Sequence, residues 1–208
     1  MNNTIKLLMI SDIFVLTGFG LVEPILAIFI NDNIVGGSIF SAGLASTLFL
    51  ITKSVIQLPF SKYVDKHDDK IRWLIVGTFF IALVPFIYMI ADSVLYMYAA
   101  QIVYGIGGGL AYPTWLGLFS THLDKKHESF EWSLYSTLVG IGVAISAVVG
   151  ATIAEFAGFD YTFALVGFLA LVGCFILLYL EKKEKRGNAE SFARHYYTKR
   201  KLIQNGRH

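Results

Sequence analysis

The chain has 208 residues, of which 55% are hydrophobic and only 15% are charged, with a formal net charge of +2. Soluble domains usually carry about 25% charged residues, and the apolar residues here lie in runs too long for one soluble core of this size to bury. This composition excludes an ordinary soluble domain and predicts an all-α protein that spans a lipid bilayer.

Six apolar segments are each long enough to cross about 30 Å of hydrocarbon, which takes roughly 20 helical residues. Short polar connections separate them, and a basic segment follows the last. We therefore predict a six-helix transmembrane domain over residues 1–182 and a basic cytoplasmic tail over residues 183–208. The predicted spans are Leu7–Ile30, Ile39–Phe60, Trp73–Ile90, Val94–Phe119, Trp132–Phe156 and Tyr161–Leu180.

The distribution of Lys and Arg predicts how these spans are oriented. Of the 17 basic residues, all but Lys53 precede span one, follow span two or span four, or lie in the tail. The connections after spans one, three and five contain neither Lys nor Arg. Because cytoplasmic loops are enriched in these residues, we expect both termini on the cytoplasmic side, most simply of the cytoplasmic membrane.

A glycine-rich phrase that ends in proline occurs twice, as GFGLVEP at residues 18–24 and as GGGLAYP at residues 107–113. The second copy lies 89 positions after the first. LASTL at residues 44–48 matches LYSTL at residues 134–138 with a shift of 90. A register shared by several segments indicates an internal repeat.

The two repeats cover about residues 7–90 and 94–180, with three spans each. Since three is odd, the second repeat must enter the bilayer from the opposite side, so the fold is predicted to be an inverted 3+3 repeat. Transporters are built in this way, with broken helices near the repeat interface. The residues of the two phrases that we expect to act as helix hinges are Gly18, Gly20, Pro24, Gly107, Gly109 and Pro113.

Polar side chains inside the predicted spans are the candidate site residues, because a charge near mid-helix costs about 2.5–3.5 kcal/mol. Asp12 and Glu23 lie about three helical turns apart and should share one face of span one. Asp12 and Lys53 lie near the same end of their spans and are expected to pair, whereas Gln101 shares the depth of Glu23. The residues predicted to bind substrate or protons are Glu23, Asp12, Lys53, Gln57 and Gln101.

Simpler interpretations of these side chains stay open. Asp12 would also fit a carboxylate at the headgroup level, and Lys53 would also fit a side chain that reaches from the lipid face to the interface. Span five carries small residues at spacings of three and four, which predicts a smooth face for close helix packing: Gly140, Ala144, Ala147, Ala151 and Ala154. The sequence contains no phosphate loop, zinc-ligand spacing or nucleophile–base pair, so we predict neither an enzyme nor a cofactor, a metal or a nucleic-acid partner.

With this topology, the chain resembles one half of a major facilitator superfamily transporter over about residues 7–182. The loop between spans two and three reads SKYVDKHDDK, in which Asp65 and Lys66 match the family's loop motif. Span four reads QIVYGIG, which keeps two glycines of the family's span-four motif, but Gln101 replaces its arginine. The resemblance therefore covers the topology and parts of both motifs.

The resemblance implies a half-length transporter that moves a small solute by alternating access, with Asp65 and Lys66 in a gating contact. Because family members normally have twelve spans, we expect a homodimer or a separately encoded second half; a truncated gene product is the remaining alternative. The replaced arginine puts the family's arginine-based proton coupling in doubt for this chain. Glu23 is the leading candidate for substrate or proton binding. The alternative function is a non-transporting membrane scaffold that binds a partner through the small-residue face and the tail.

Overall fold

The structure is a computed structural model that describes the backbone of residues 3–205 and the side chains of residues 3–186. Over this range the chain forms seven α-helices and no strand. Six of them are long and apolar enough to cross a membrane, which confirms an all-α membrane protein with six spans. The helices are α1 Asn3–Gly20, α2 Leu26–Asn33, α3 Ile39–Val64, α4 Lys70–Met89, α5 Val94–His122, α6 Glu128–Phe156 and α7 Phe159–Asn205.

The last helix continues past the predicted end of the membrane domain. The boundary expected at residue 182 falls inside α7, whose backbone stays helical to Asn205. Residues 181–186 are all Glu, Lys or Arg, which favour helix although they are too polar for hydrocarbon. The side chains of the predicted tail beyond residue 186 lie outside the described part of the structure.

The first predicted span is interrupted. α1 ends at Gly20, the chain turns over residues 21–25, and α2 begins at Leu26. Pro24 lies in this turn, where its missing backbone N–H and its ring disrupt no regular helical hydrogen bond. Glu23 therefore lies on a short non-helical segment in the middle of span one.

The helices pack in a simple order. Their most extensive contacts join α3 to α5, α5 to α4, α4 to α7, α7 to α1 and α1 to α6. Written as spans, this order is two, four, three, six, one, five. Exchanging each span with its counterpart in the other repeat gives the same order in reverse, as an inverted 3+3 repeat requires. α3 and α6 stand at the two ends of the order and bury the smallest shares of their residues.

Individual glycine contacts repeat in the same register. A Cβ added to Gly20 of α1 would lie 3.3 Å from the Cβ of Ser146 on α6. A Cβ added to Gly109 of α5 would lie 2.8 Å from the Cβ of Ile56 on α3. Gly20 and Gly109 are 89 positions apart, and Ile56 and Ser146 are 90 apart. The two contacts are therefore equivalent under the shifts read from the sequence.

The glycines of α5 let two other helices approach its backbone. A Cβ on Gly105 would lie 2.6 Å from the Cβ of Thr52 on α3, and Gly109 faces the same helix. A Cβ on Gly107 would lie 2.8 Å from the Gly77 carbonyl oxygen on α4. The glycine-rich sequence of span four thus places α5 between α3 and α4.

Helix α6 packs through only part of the small-residue face that was expected, because Ala151 and Ala154 pack against the core but two other positions do not. A Cβ on Gly150 would collide with the carbonyl of Leu21, whereas Gly140 faces open space and Ala144 is exposed. The packing role predicted for Gly140 and Ala144 is therefore wrong. Two helical residues turn by about 200°, so the contact face lies almost opposite these two positions. The small residues on the contact face are Gly142, Ser146 and Gly150.

Candidate functional site

A cavity of about 150 Å³ lies beside the break in span one. Glu23 and Gln101 both line this cavity, which we call the Glu23 cavity, so the structure brings together these two predicted site residues. Most of its other lining residues are apolar or aromatic, and Ser46 of α3 adds a hydroxyl. Glu23 is the only carboxylate among the described lining residues. The cavity therefore presents one negative group in aromatic surroundings.

Gln101 is held by a neighbouring helix. Its side chain is buried, with 3% of its surface exposed, and its Nε2 donates a hydrogen bond to the Tyr88 hydroxyl at 3.0 Å. This bond joins α5 to α4 at the wall of the Glu23 cavity. Gln101 stands where the family's motif has arginine, so this position supplies a fixed polar group without a charge.

A stack of three aromatic rings crosses from α1 to α3. The Tyr104 ring lies 4.6 Å from the Phe19 ring and 4.3 Å from the Phe49 ring, centroid to centroid, and the planes are tilted by 19° and 24°. The Lys53 ammonium lies 5.9 Å from the Phe49 centroid and 4.6 Å from the Tyr112 centroid. Lys53 is thus held by ring faces rather than by a carboxylate.

The structure does not bring Asp12 and Lys53 together, and the predicted pair is wrong. The Asp12 carboxylate instead accepts a hydrogen bond from the Tyr135 hydroxyl on α6. α1 packs on α6 and α7, whereas α3 packs on α5 and α2. Equal depth in the membrane was the only basis for the prediction, and it does not determine which helices are neighbours.

Tyr135 is a site residue that the sequence reasoning missed. Its ring belongs to an aromatic cluster and lies 4.7 Å from the Trp115 ring and 5.5 Å from the Phe119 ring. The signal was present in the repeated segments LASTL and LYSTL, in which Tyr135 replaces the small residue Ala45. A tyrosine that breaks an otherwise matching repeat marks the position where span five meets Asp12.

A second cavity, of about 530 Å³, lies between α3 and the far half of α5. Gln57 and Asp65 line this Gln57 cavity together with Tyr112 and Pro113, so Gln57 is separate from the Glu23 cavity. Lys66 is exposed and lines neither cavity. Within the described residues, no group of three or more His, Cys, Asp or Glu could hold a metal ion.

The two glycine–proline phrases have different structures. The first coincides with the break between α1 and α2, whereas α5 runs without interruption through the second. A hinge role for either phrase stays a prediction. Gly18, Gly20 and Pro24 belong to the broken copy, and Gly107, Gly109 and Pro113 belong to the continuous one.

Comparison with known proteins agrees with this architecture. The sequence model of the Major Facilitator Superfamily matches residues 8–205. An uncharacterized MFS-type transporter of Methanocaldococcus jannaschii is 24% identical over 168 residues, which are 80% of this chain and 42% of that protein. Quinolone resistance protein NorA of Staphylococcus aureus strain Mu50 is 22% identical over 185 residues, which are 88% of this chain and 47% of that protein. The chain thus spans about half the length of these curated relatives. With six membrane-spanning helices and a family match over nearly its whole length, the chain belongs to the Major Facilitator Superfamily.

Proposed function

We propose that this chain is part of a membrane transporter that moves a small solute by alternating access. The observation that carries the proposal is the Glu23 cavity, which is lined by a carboxylate at a helix break and by a polar group of the other repeat, Gln101. Transporters with inverted repeats place their binding sites at such breaks. The Glu23 side chain has no ion pair or hydrogen bond with any described residue, so its charge is available to a proton or a solute.

Glu23 is the group that we propose to bind the positive part of the solute or a transported proton. An isolated carboxylate inside a membrane costs about 2.5–3.5 kcal/mol, and a bound cation or proton reduces that cost. The aromatic side chains around the cavity favour a positive charge as well, because ring faces attract cations. Gln101 and Gln57 act as polar lining in their separate cavities. Asp12 contributes through its hydrogen bond with the Tyr135 hydroxyl.

We propose that a second six-helix unit completes the transporter. α3 and α6, at the ends of the packing order, expose large apolar side chains; on α6 these include Ile141, Ile145 and Val148, exposed by 56%, 61% and 69%. A second copy of this chain, or a separate second half, would cover these faces and supply the opposite wall of the central pathway. Two copies in the same orientation form a closed two-fold assembly.

The orientation is part of the proposal. Both termini lie in the cytoplasm, because the basic residues outside the spans fall in segments on one side. Asp65 and Lys66 then lie at the cytoplasmic surface. There Asp65, at the C-terminal end of α3, would take part in the gating contact.

Transport is tested with protein reconstituted in lipid vesicles under an imposed pH gradient. A fluorescent quinolone is a suitable first probe, because one relative is named for quinolone resistance. We expect Glu23→Gln to reduce gradient-dependent flux at least tenfold. Glu155→Gln is the matched control. Glu155 is an exposed carboxylate near the C-terminal end of α6, and it lines neither cavity. Equal flux through wild type, Glu23→Gln and protein-free vesicles would contradict the proposal.

A further inference from the structure

Two side chains of opposite charge flank the aromatic stack of the Glu23 cavity. Glu23 follows Phe19 by one turn, and its backbone N–H donates to the Phe19 carbonyl at 2.9 Å. Lys53 follows Phe49 by one turn on α3, with its ammonium over the Phe49 ring. Tyr104 stacks between Phe19 and Phe49. A negative group therefore lies one turn after one outer ring of the stack, and a positive group lies between the other outer ring, Phe49, and Tyr112 of the Gln57 cavity.

Neither charge is neutralised by another part of the described chain. Glu23 and Lys53 form no ion pair and no side-chain hydrogen bond there, whereas Asp12 accepts one from Tyr135. The Lys53 ammonium has ring faces as neighbours, and a ring attracts a cation less strongly than a carboxylate does. Two uncompensated intramembrane charges are costly, and a ligand that supplies both counter-charges would reduce both costs.

Lys53 lines neither cavity, but it lies on the face of α3 that borders both of them. Ser46 and Phe49 line the Glu23 cavity, and Gln57 lines the other cavity. These residues and Lys53 recur at spacings of three and four, so they share one face of α3. Gly108 of α5 leaves room for the lysine stem, because a Cβ there would lie 3.6 Å from the Lys53 Cδ. The flexible stem lets the ammonium follow a ligand in the Glu23 cavity.

We propose that the Glu23 cavity takes a zwitterionic solute with an aromatic or apolar body. The positive group of the solute binds Glu23, its negative group binds Lys53, and its body lies along the Phe19–Tyr104–Phe49 stack. A simple cation would leave the Lys53 charge without a counter-charge and would be repelled by it. A simple anion would leave the Glu23 charge without a counter-charge and would be repelled by it. This inference rests on the proposed function, because it requires that the solute occupies the Glu23 cavity.

Three probes with one skeleton test the inference by equilibrium binding to the full chain in lipid nanodiscs at neutral pH. The probes are para-(aminomethyl)benzoate, which is a zwitterion, its methyl ester, which is a cation, and para-methylbenzoate, which is an anion. We expect the zwitterion to bind at least tenfold more tightly than either of the others. Lys53→Met should remove its advantage over the ester, and Glu23→Gln should remove its advantage over the anion.

Lys62→Met is the matched control, because Lys62 is an exposed lysine near the C-terminal end of α3; it should leave all three affinities unchanged. Equal binding of zwitterion and ester by the wild type overturns the inference, and this comparison needs no variant. The failure of all three probes to bind also overturns it. Ester binding that requires Glu23 but shows no preference for the zwitterion would overturn the inference while the proposed function stands.

Discussion

The hydrogen bond between the Tyr135 hydroxyl and the Asp12 carboxylate should make a measurable contribution to stability. Tyr135→Phe removes the hydroxyl and keeps the ring that packs against Trp115 at 4.7 Å. A hydrogen bond to an ionised carboxylate contributes about 1.5–3 kcal/mol, and an acceptor left without its donor costs a similar amount. We therefore expect Tyr135→Phe to lower the free energy of unfolding by about 1.5–3 kcal/mol.

A double-mutant cycle isolates this bond from other effects of the substitutions. Wild type, Tyr135→Phe, Asp12→Ala and the double variant are unfolded in bicelles by titration with a denaturing detergent. The coupling energy should be at least about 1.5 kcal/mol, whereas groups that do not touch couple by less than about 0.5 kcal/mol. A coupling energy below about 0.5 kcal/mol would refute the assigned hydrogen bond. A parallel cycle of Asp12→Ala with Lys53→Met should show no coupling, because the structure separates these two side chains.

Two further predictions concern the packing of α5 and the orientation of the chain. Gly105→Val should lower the free energy of unfolding by about 1–3 kcal/mol, because its Cβ would lie 2.6 Å from that of Thr52. Gly117→Val, where a Cβ meets no atom within 4 Å, is the control, and equal losses in detergent unfolding would contradict the close contact. A cysteine at Asp92 should react with an impermeant thiol reagent added to intact cells, and one at His127 should not; the reverse labelling would invert the topology.

Much of the fold could be predicted, because the bilayer imposes a length and the repeat imposes a register. The thickness of the hydrocarbon core fixes how long a span must be, so six apolar runs predicted six spans, although the first of them is broken into α1 and α2. The two sequence shifts also reappear in the contacts of Gly20 and Gly109. The glycines were harder to interpret from sequence. Gly107 and Gly109 allow close approach of α4 and α3 within an unbroken helix, whereas Gly20 ends α1 and Pro24 lies inside the break.

The candidate site could be predicted from the sequence only where the position of a residue along the membrane normal was enough to identify its neighbours. Glu23 and Gln101 were predicted to share a depth, and they line one cavity. Asp12 and Lys53 were also predicted to share a depth, but they lie on helices that do not pack on each other. Counting residues along a span gives a position along the membrane normal and says nothing about position around it. The partner of Asp12 was therefore found only when the structure placed α6 beside α1.

The packing order also determines when the helices can assemble during synthesis. α1 is made before its main partners, α6 and α7, and α2 to α5 lie between them in the chain. The Asp12 carboxylate cannot accept its hydrogen bond until Tyr135, which lies 123 residues later in the chain, has been synthesised. Until then, span one must remain in the bilayer with an unpaired carboxylate, at a cost of about 2.5–3.5 kcal/mol if it reaches mid-membrane. Helices that insert separately and pack afterwards tolerate such a delay, but a ribosome that stalls before span five would leave α1 without α6 and α7 and expose it to membrane quality control.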